Sequence, residues 1–95
     1  MNNNLSLYNI FLAVAEAGST LGAAKTLFIS QPAVSKAISK LEASLEVSLF
    51  VRSKKGVRLT DDGLILYDRI KNAFEYIDEG ESVIRERNSL GTGHI

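Results

Sequence analysis

Residues 29–42 of this chain read Ile29-Ser30-Gln31-Pro32-Ala33-Val34-Ser35-Lys36-Ala37-Ile38-Ser39-Lys40-Leu41-Glu42. Apolar residues recur here at spacings of four, three and four, which places them on one face of an α-helix. They are Val34, Ile38, Leu41 and Leu45. The opposite face carries donors and no acidic group: Gln31, Ser35, Lys36, Ser39 and Lys40. A helix that is buried on one side and rich in donors on the other fits the major groove of DNA. We therefore predict the recognition helix of a helix-turn-helix.

The composition limits the possible classes of protein. Ninety-five residues form one small domain, and the 45% hydrophobic content is typical of a folded chain. The absence of cysteine excludes disulfides and thiolate metal sites. Because the start lacks the features of a signal peptide and no apolar run is long enough to span a bilayer, we expect a soluble, cytoplasmic protein without a membrane partner.

The net charge of zero is the sum of two unlike halves. Residues 1–58 contain seven basic and three acidic groups, so their net charge is +4. Residues 59–95 contain four basic and eight acidic groups, so their net charge is −4. We predict that the basic half is the DNA-binding surface and that the acidic half has another task.

Two further helices are predicted ahead of the recognition helix. Apolar residues at helical spacing predict a first helix over residues 7–17, which Gly18 ends. A second helix over residues 21–27 follows a hydroxyl cap from Ser19 or Thr20. Ser30 is then a suitable N-cap for the third helix, whose first turn tolerates Pro32. The short connection between the second and third helices is typical of a helix-turn-helix.

A small β-hairpin, or wing, is predicted after the third helix. Its strands correspond to residues 48–52 and 57–59, and Gly56 suits a turn that requires positive φ. Two adjacent lysines, Lys54 and Lys55, lie at its tip. Because an isolated hairpin is marginally stable, apolar residues of the strands must anchor it to the helices. We expect these anchors to be Leu49, Phe50, Val57 and Leu59.

A long helix is predicted from Thr60, a suitable N-cap, to about Ser89. Its apolar residues alternate steps of four and three, which is the spacing of a coiled-coil seam, and a second copy is the simplest partner for this seam. The residues predicted to form the dimer are Leu66, Ile70, Ala73, Phe74, Ile77 and Ile84. Gly80 weakens the seam locally.

Five motifs, in their order along the chain and in their spacing, resemble those of the LysR-type transcriptional regulators. These motifs are Phe11-x-x-Val14-Ala15-Glu16-x-Gly18-Ser19, Ala23-Ala24-x-x-Leu27-x-x-Ser30-Gln31-Pro32-Ala33-Val34-Ser35, Ile38-x-x-Leu41-Glu42, Leu49-Phe50-x-Arg52 and Leu59-Thr60-x-x-Gly63. The resemblance implies a mainly α fold, in which a winged helix-turn-helix of three helices and a small hairpin precedes a long dimerisation helix. It also implies a bacterial regulator that binds interrupted palindromic sites and responds to a small-molecule inducer held by a larger C-terminal domain.

This resemblance divides the chain into three parts. Residues 1–59 correspond to the DNA-binding domain, residues 60–89 to the linker helix, and residues 90–95 to a tail that leads to an effector domain not contained in this sequence. Two positions depart from the family pattern. Glu46 replaces the usual glycine at the end of the recognition helix, so we expect a differently shaped helix end. Leu21 replaces a common capping Ser or Thr.

The candidate DNA contacts form two groups. The base-reading residues are predicted to be Gln31, Pro32, Ala33, Ser35 and Lys36, and the phosphate or wing contacts to be Ser19, Thr20, Lys25, Ser30, Lys40, Arg52, Lys54 and Lys55. Gln31 can pair with an adenine edge or contact phosphate, and Lys36 can reach guanine acceptors or phosphate. Arg52 is predicted chiefly to brace the wing. The two wing lysines either enter the minor groove or only increase solubility.

Other functional classes are less well supported. The only histidine, His94, lies in the tail, and no phosphate-binding glycine loop is present. We read Asp61 and Asp62 as helix-capping charges and not as a metal pair. We therefore predict no enzyme activity, metal or cofactor. The alternative is a winged helix that binds another protein without sequence-specific DNA binding.

Overall fold

The computed structural model describes residues 4–93 and contains four helices and one hairpin in that range. The elements are α1 (Asn4–Ala17), α2 (Thr20–Leu27), α3 (Gln31–Leu45), β1 (Phe50–Ser53), β2 (Gly56–Leu59) and α4 (Asp61–Gly93). The predicted mainly α winged helix-turn-helix with a long final helix is confirmed. The last helix extends to Gly93, beyond the predicted end at Ser89, because no proline interrupts residues 90–93 and glycine weakens a helix without forbidding it. His94 and Ile95 lie outside the described residues.

The first three helices enclose one apolar core. Its largest fully buried side chains are Phe11, Val14, Val34, Ile38, Leu41 and Leu49. Ala23 and Ala24 of α2 are also buried, so small side chains lie where α2 packs against its neighbours. The apolar face that the spacing predicted for α3 is therefore the face that packs inward, apart from Leu45, which is exposed.

The turns between the helices have the predicted capping groups. Gly18 ends α1 with a φ of +70°, and its N–H donates to Val14 O at 2.9 Å. The Ser19 hydroxyl caps α2, and the Ser30 hydroxyl caps α3. At the end of α3, Glu46 adopts φ 59° and ψ 35°, a left-handed cap that glycine usually forms. The expectation of a differently shaped end is therefore wrong, because the cap geometry is kept without the glycine.

The wing is an antiparallel pair in which Phe50 faces Leu59 and Ser53 faces Gly56. Leu49 is 1% exposed, and the Phe50 ring lies 5.2 Å from that of Phe11, centroid to centroid. Phe50, Val57 and Leu59 are partly buried against the core, so the predicted anchoring is confirmed. Val57 N–H also donates to Gly18 O at 3.0 Å. This bond ties the wing to the turn between α1 and α2.

The beginning of α4 belongs to the core of its own chain. Ile70 is 6% exposed and joins the buried cluster, against which Leu66 and Phe74 pack. The prediction that Ile70 lies in a seam between two chains is therefore corrected. Helix α4 packs against α1, and Ile70 is covered within one chain by the residues of the core. Farther along the helix, Ile77 and Ile84 are exposed, as the seam requires.

No helix in the described range 4–93 combines the length and the apolar composition that crossing a membrane would require.

Candidate nucleic-acid interface

The side of α3 that faces away from the core is open to solvent. Gln31, Pro32, Ala33 and Lys36 are exposed, and Ser35 is part-buried. The buried residues of the same helix are Val34, Ala37, Ile38 and Leu41. The five predicted base-reading residues therefore occupy the first two turns of α3, on or beside the surface that folding leaves uncovered. This surface supplies amide, hydroxyl and ammonium donors, which major-groove base edges accept.

Two of the predicted phosphate contacts are helix caps. Ser19 Oγ accepts a hydrogen bond from Gly22 N–H at 2.8 Å, and Ser30 Oγ accepts one from Ala33 N–H at 3.2 Å. These bonds fix the N-terminal turns of α2 and α3. A helix N-terminus carries free N–H groups and a partial positive charge, both of which favour a phosphate.

The structure does not place Thr20 as expected for the predicted contact with the DNA phosphate backbone. Its side chain is 8% exposed, and Oγ1 accepts a hydrogen bond from Gln31 Nε2 at 3.0 Å. Thr20 begins α2, where its side chain turns toward the start of α3 and is covered there. Its hydroxyl thus supports Gln31, and little of the residue remains exposed for a contact with DNA phosphate.

An open groove of about 230 Å³ joins the start of α3 to the wing. It is lined by Ser19, Thr20, Leu21, Gln31, Arg52, Ser53, Gly56 and Val57. Predicted DNA contacts from three separate parts of the chain therefore meet on one surface: Ser19, Gln31 and Arg52. The Val57–Gly18 hydrogen bond holds the wing beside the start of α2, and this bond keeps the groove in place.

The basic candidates outside this groove are exposed. Lys54 and Lys55 form the two-residue turn of the wing, and Lys25 and Lys40 are exposed on α2 and α3. Arg58 of β2 is also exposed, although it was not among the candidate contacts. All these side chains are free to extend toward a polyanion. Their number accounts for the basic character of residues 1–58.

Glu42 has a structural role that the sequence did not reveal. Its Oε2 accepts hydrogen bonds from Leu49 N–H at 2.7 Å and Phe50 N–H at 3.4 Å. The carboxylate of the recognition helix thereby fixes the entry to the wing. Glu42 belongs to one of the motifs quoted above, but the motif does not indicate that its carboxylate accepts a hydrogen bond from a backbone N–H seven residues farther along the chain. Within residues 4–93, no group of three or more acidic, histidine or cysteine side chains could hold a metal ion.

Comparison with known proteins gives a consistent result. The family description "bacterial regulatory helix-turn-helix protein, lysR family" matches residues 5–64. The HTH-type transcriptional regulator YoaU of Bacillus subtilis is 52% identical over 96 residues, which cover 97% of this chain and 32% of that protein. A regulator from Mycobacterium tuberculosis is 40% identical, covering 96% of this chain and 29% of its own length. The chain thus spans about a third of these relatives.

Solved structures with a similar fold include two DNA complexes. The DNA-binding domain of BenM bound to the benA site 1 has a TM-score of 0.79 and 30% identity, and the match covers 86% of this chain and 95% of that one. The DNA-binding domain of CbnR in complex with DNA has a TM-score of 0.74 and 37% identity, with 88% and 94% covered. The similarity therefore covers almost the whole of both DNA-binding domains.

Proposed function

Because this chain belongs to the LysR family of bacterial helix-turn-helix regulators, we propose that it binds an interrupted palindromic DNA site as a homodimer. It is a DNA-binding transcription regulator, and its family is not one of enzymes. The observation that supports the proposed binding mode best is the uncovered donor face of α3, beside a groove that joins it to a basic wing. We propose double-stranded DNA as its partner, and DNA is the partner of the two similar domains solved as complexes.

In this proposal, the two groups of residues have different tasks. Gln31, Pro32, Ala33, Ser35 and Lys36 meet base edges in the major groove. Pro32 and Ala33 supply apolar surface for a thymine methyl group. The phosphate contacts come from Ser19, Ser30, Lys25, Lys40, Arg52, Lys54 and Lys55. Phosphate contacts fix the position of the protein, whereas base contacts give the sequence preference.

The exposed apolar face of α4 supports the homodimer. Tyr76, Ile77, Val83 and Ile84 are exposed, and at 100° per residue they lie within about a third of the helix circumference. A continuous apolar face on an exposed helix marks a surface that a partner covers. A second copy of α4 would cover it and would place two recognition helices on neighbouring major grooves. The half-sites would then be about one helical turn, or a multiple of it, apart.

Substitution of Ile84 tests the dimer. Ile84 is 57% exposed and lies far from the core of its own chain, so Ile84→Glu places a charge in the interface without disturbing the fold. We expect wild-type protein to sediment as a dimer at tens of micromolar and the variant as a monomer. Ser82→Glu, on the opposite side of α4, is the matched control and should leave the dimer intact. A monomeric wild-type protein at this concentration would contradict the proposed interface.

A gel shift in graded salt tests DNA binding itself. Each lysine that neutralises a phosphate releases a counterion, so affinity should fall steeply as salt rises. Lys55→Ala should weaken binding to genomic fragments and to random DNA alike. It should also reduce the slope of log affinity against log salt by about one. Glu79→Ala, on α4 away from the wing, is the control. If the protein shifts no DNA fragment at any salt concentration, the alternative of a winged helix that binds another protein is favoured instead.

The remaining parts of the chain have proposed roles in a longer regulator. We assign residues 1–59 to DNA binding, residues 60–89 to the dimerising linker and residues 90–95 to the connection with an effector domain. A small-molecule inducer would act only through that domain. Since its target is the bacterial chromosome, the regulator would work in the cytoplasm.

A further inference from the structure

Thr20 and Gln31 form a polar contact between the first residues of α2 and α3. Among the residues described, Thr20 is the only polar or charged side chain that folding buries. Gln31 is exposed, and its Nε2 donates to Thr20 Oγ1 at 3.0 Å. A fixed residue inside the protein thus holds an exposed residue of the reading face. We infer that Thr20 is a positioning residue that orients the Gln31 amide for adenine. This inference rests on the proposed function.

The chemistry of the amide explains why this orientation of Gln31 would favour adenine over guanine. A glutamine amide has two N–H groups and one carbonyl oxygen. We assign to Thr20 the N–H that points away from Oε1, so that the other N–H and Oε1 lie side by side for a base. Adenine offers an acceptor, N7, beside a donor, N6, in the major groove and therefore matches this pair. Guanine offers two acceptors, N7 and O6, so Oε1 would face an acceptor. The orientation that Thr20 imposes therefore favours adenine over guanine.

The contact also reduces the entropy lost on binding. A free glutamine side chain populates many rotamers and must be ordered when it meets a base. Gln31 is already held in the free protein, because Thr20 is fixed by the packing of α2. Preorganisation of this kind improves affinity without adding a contact to the DNA. Replacing Thr20 should therefore affect only the base pair that Gln31 reads, and not the phosphate contacts.

The test compares Thr20→Val, which removes the hydroxyl and nearly keeps the shape, with Thr20→Ser, which keeps the hydroxyl. Thermal unfolding checks that both variants fold. Gln31 is the only glutamine of the chain, so its side-chain amide can be followed by ¹⁵N relaxation in the free protein. We expect an ordered amide in the wild-type and Thr20→Ser proteins and a mobile amide in Thr20→Val. An equally ordered amide in Thr20→Val would overturn the inference.

The second measurement uses duplexes that the wild-type protein selects from a random-sequence pool. The base pair read by Gln31 is the one at which Gln31→Ala loses preference. At that pair, Thr20→Val should reduce the preference for adenine over guanine about fivefold. Thr20→Ser should retain it. Affinity for unselected DNA should not change, and Thr20→Val should add nothing to Gln31→Ala.

The other possible outcomes distinguish a failure of the positioning role of Thr20 from a failure of the proposed function. An unchanged preference in Thr20→Val, or losses that add in the double variant, would overturn the positioning role while DNA reading stands. Equal weakening on selected and unselected DNA would show a merely structural role. If the wild-type protein selects no sequence from the pool, the proposed function fails first, and the inference fails with it.

Discussion

Replacing Gly63 by alanine is expected to lower the free energy of unfolding by about 2–4 kcal/mol. A Cβ at this position would lie 2.2 Å from Leu49 O and 3.0 Å from Leu59 Cδ2. Leu49 O cannot easily retreat, because it accepts the Thr60 N–H at 2.9 Å. Gly63 N–H also donates to Thr60 Oγ1 at 3.0 Å, which caps α4. The substitution should therefore separate the start of α4 from the wing.

The matched control is Gly80→Ala in the same helix. Nothing lies within 4 Å of a Cβ at Gly80 in this chain, and the residue is exposed. The usual helix propensity should then apply, and alanine should stabilise the protein by about 1 kcal/mol. Thermal and urea unfolding measure both changes. Equal effects of the two substitutions would contradict the close approach at Gly63, and a loss of stability at Gly80 would indicate a second chain packed closely there.

Local features of the sequence were sufficient to predict most of the helical fold. Gly18, Ser19 and Ser30 act within their own turns, so the spacing of caps and apolar residues located α1, α2 and α3 to within a few residues. The turn at Gly56 was predicted for the same reason. Its positive φ of 125° is a local requirement that glycine meets without strain.

Contacts between distant residues were not predictable in the same way. The apolar spacing in α4 is the same whether these residues pack against a partner chain or against the core of their own chain. The sequence therefore could not show that Ile70 is buried in the core. Thr20 and Gln31 are eleven residues apart and meet because α2 and α3 cross. No periodic pattern in the sequence indicates this contact. The same applies to Glu42, whose backbone partners follow after the end of α3.

The second large effect is expected at the reading face. Gln31→Ala and Lys36→Ala each remove a donor from the exposed side of α3. Lys36→Ala should not alter stability, whereas Gln31→Ala also takes away the hydrogen-bond donor to the buried Thr20 hydroxyl and should lower the free energy of unfolding by about 1 kcal/mol. Each should lower the preference for a selected site over random DNA about tenfold or more, because a good base contact contributes ~1–3 kcal/mol of discrimination. Ser44→Ala, late in α3 on a side that no base is proposed to meet, is the control and should retain the preference.

The competition of selected and random duplexes for these three variants is the most direct test that DNA occupies the uncovered face of α3. If DNA occupies this face, Gln31→Ala and Lys36→Ala lose the preference, Ser44→Ala retains it, and all three variants bind random DNA with similar affinity. Full discrimination by both Gln31→Ala and Lys36→Ala would show that DNA does not occupy this face and would place the reading surface elsewhere on the molecule.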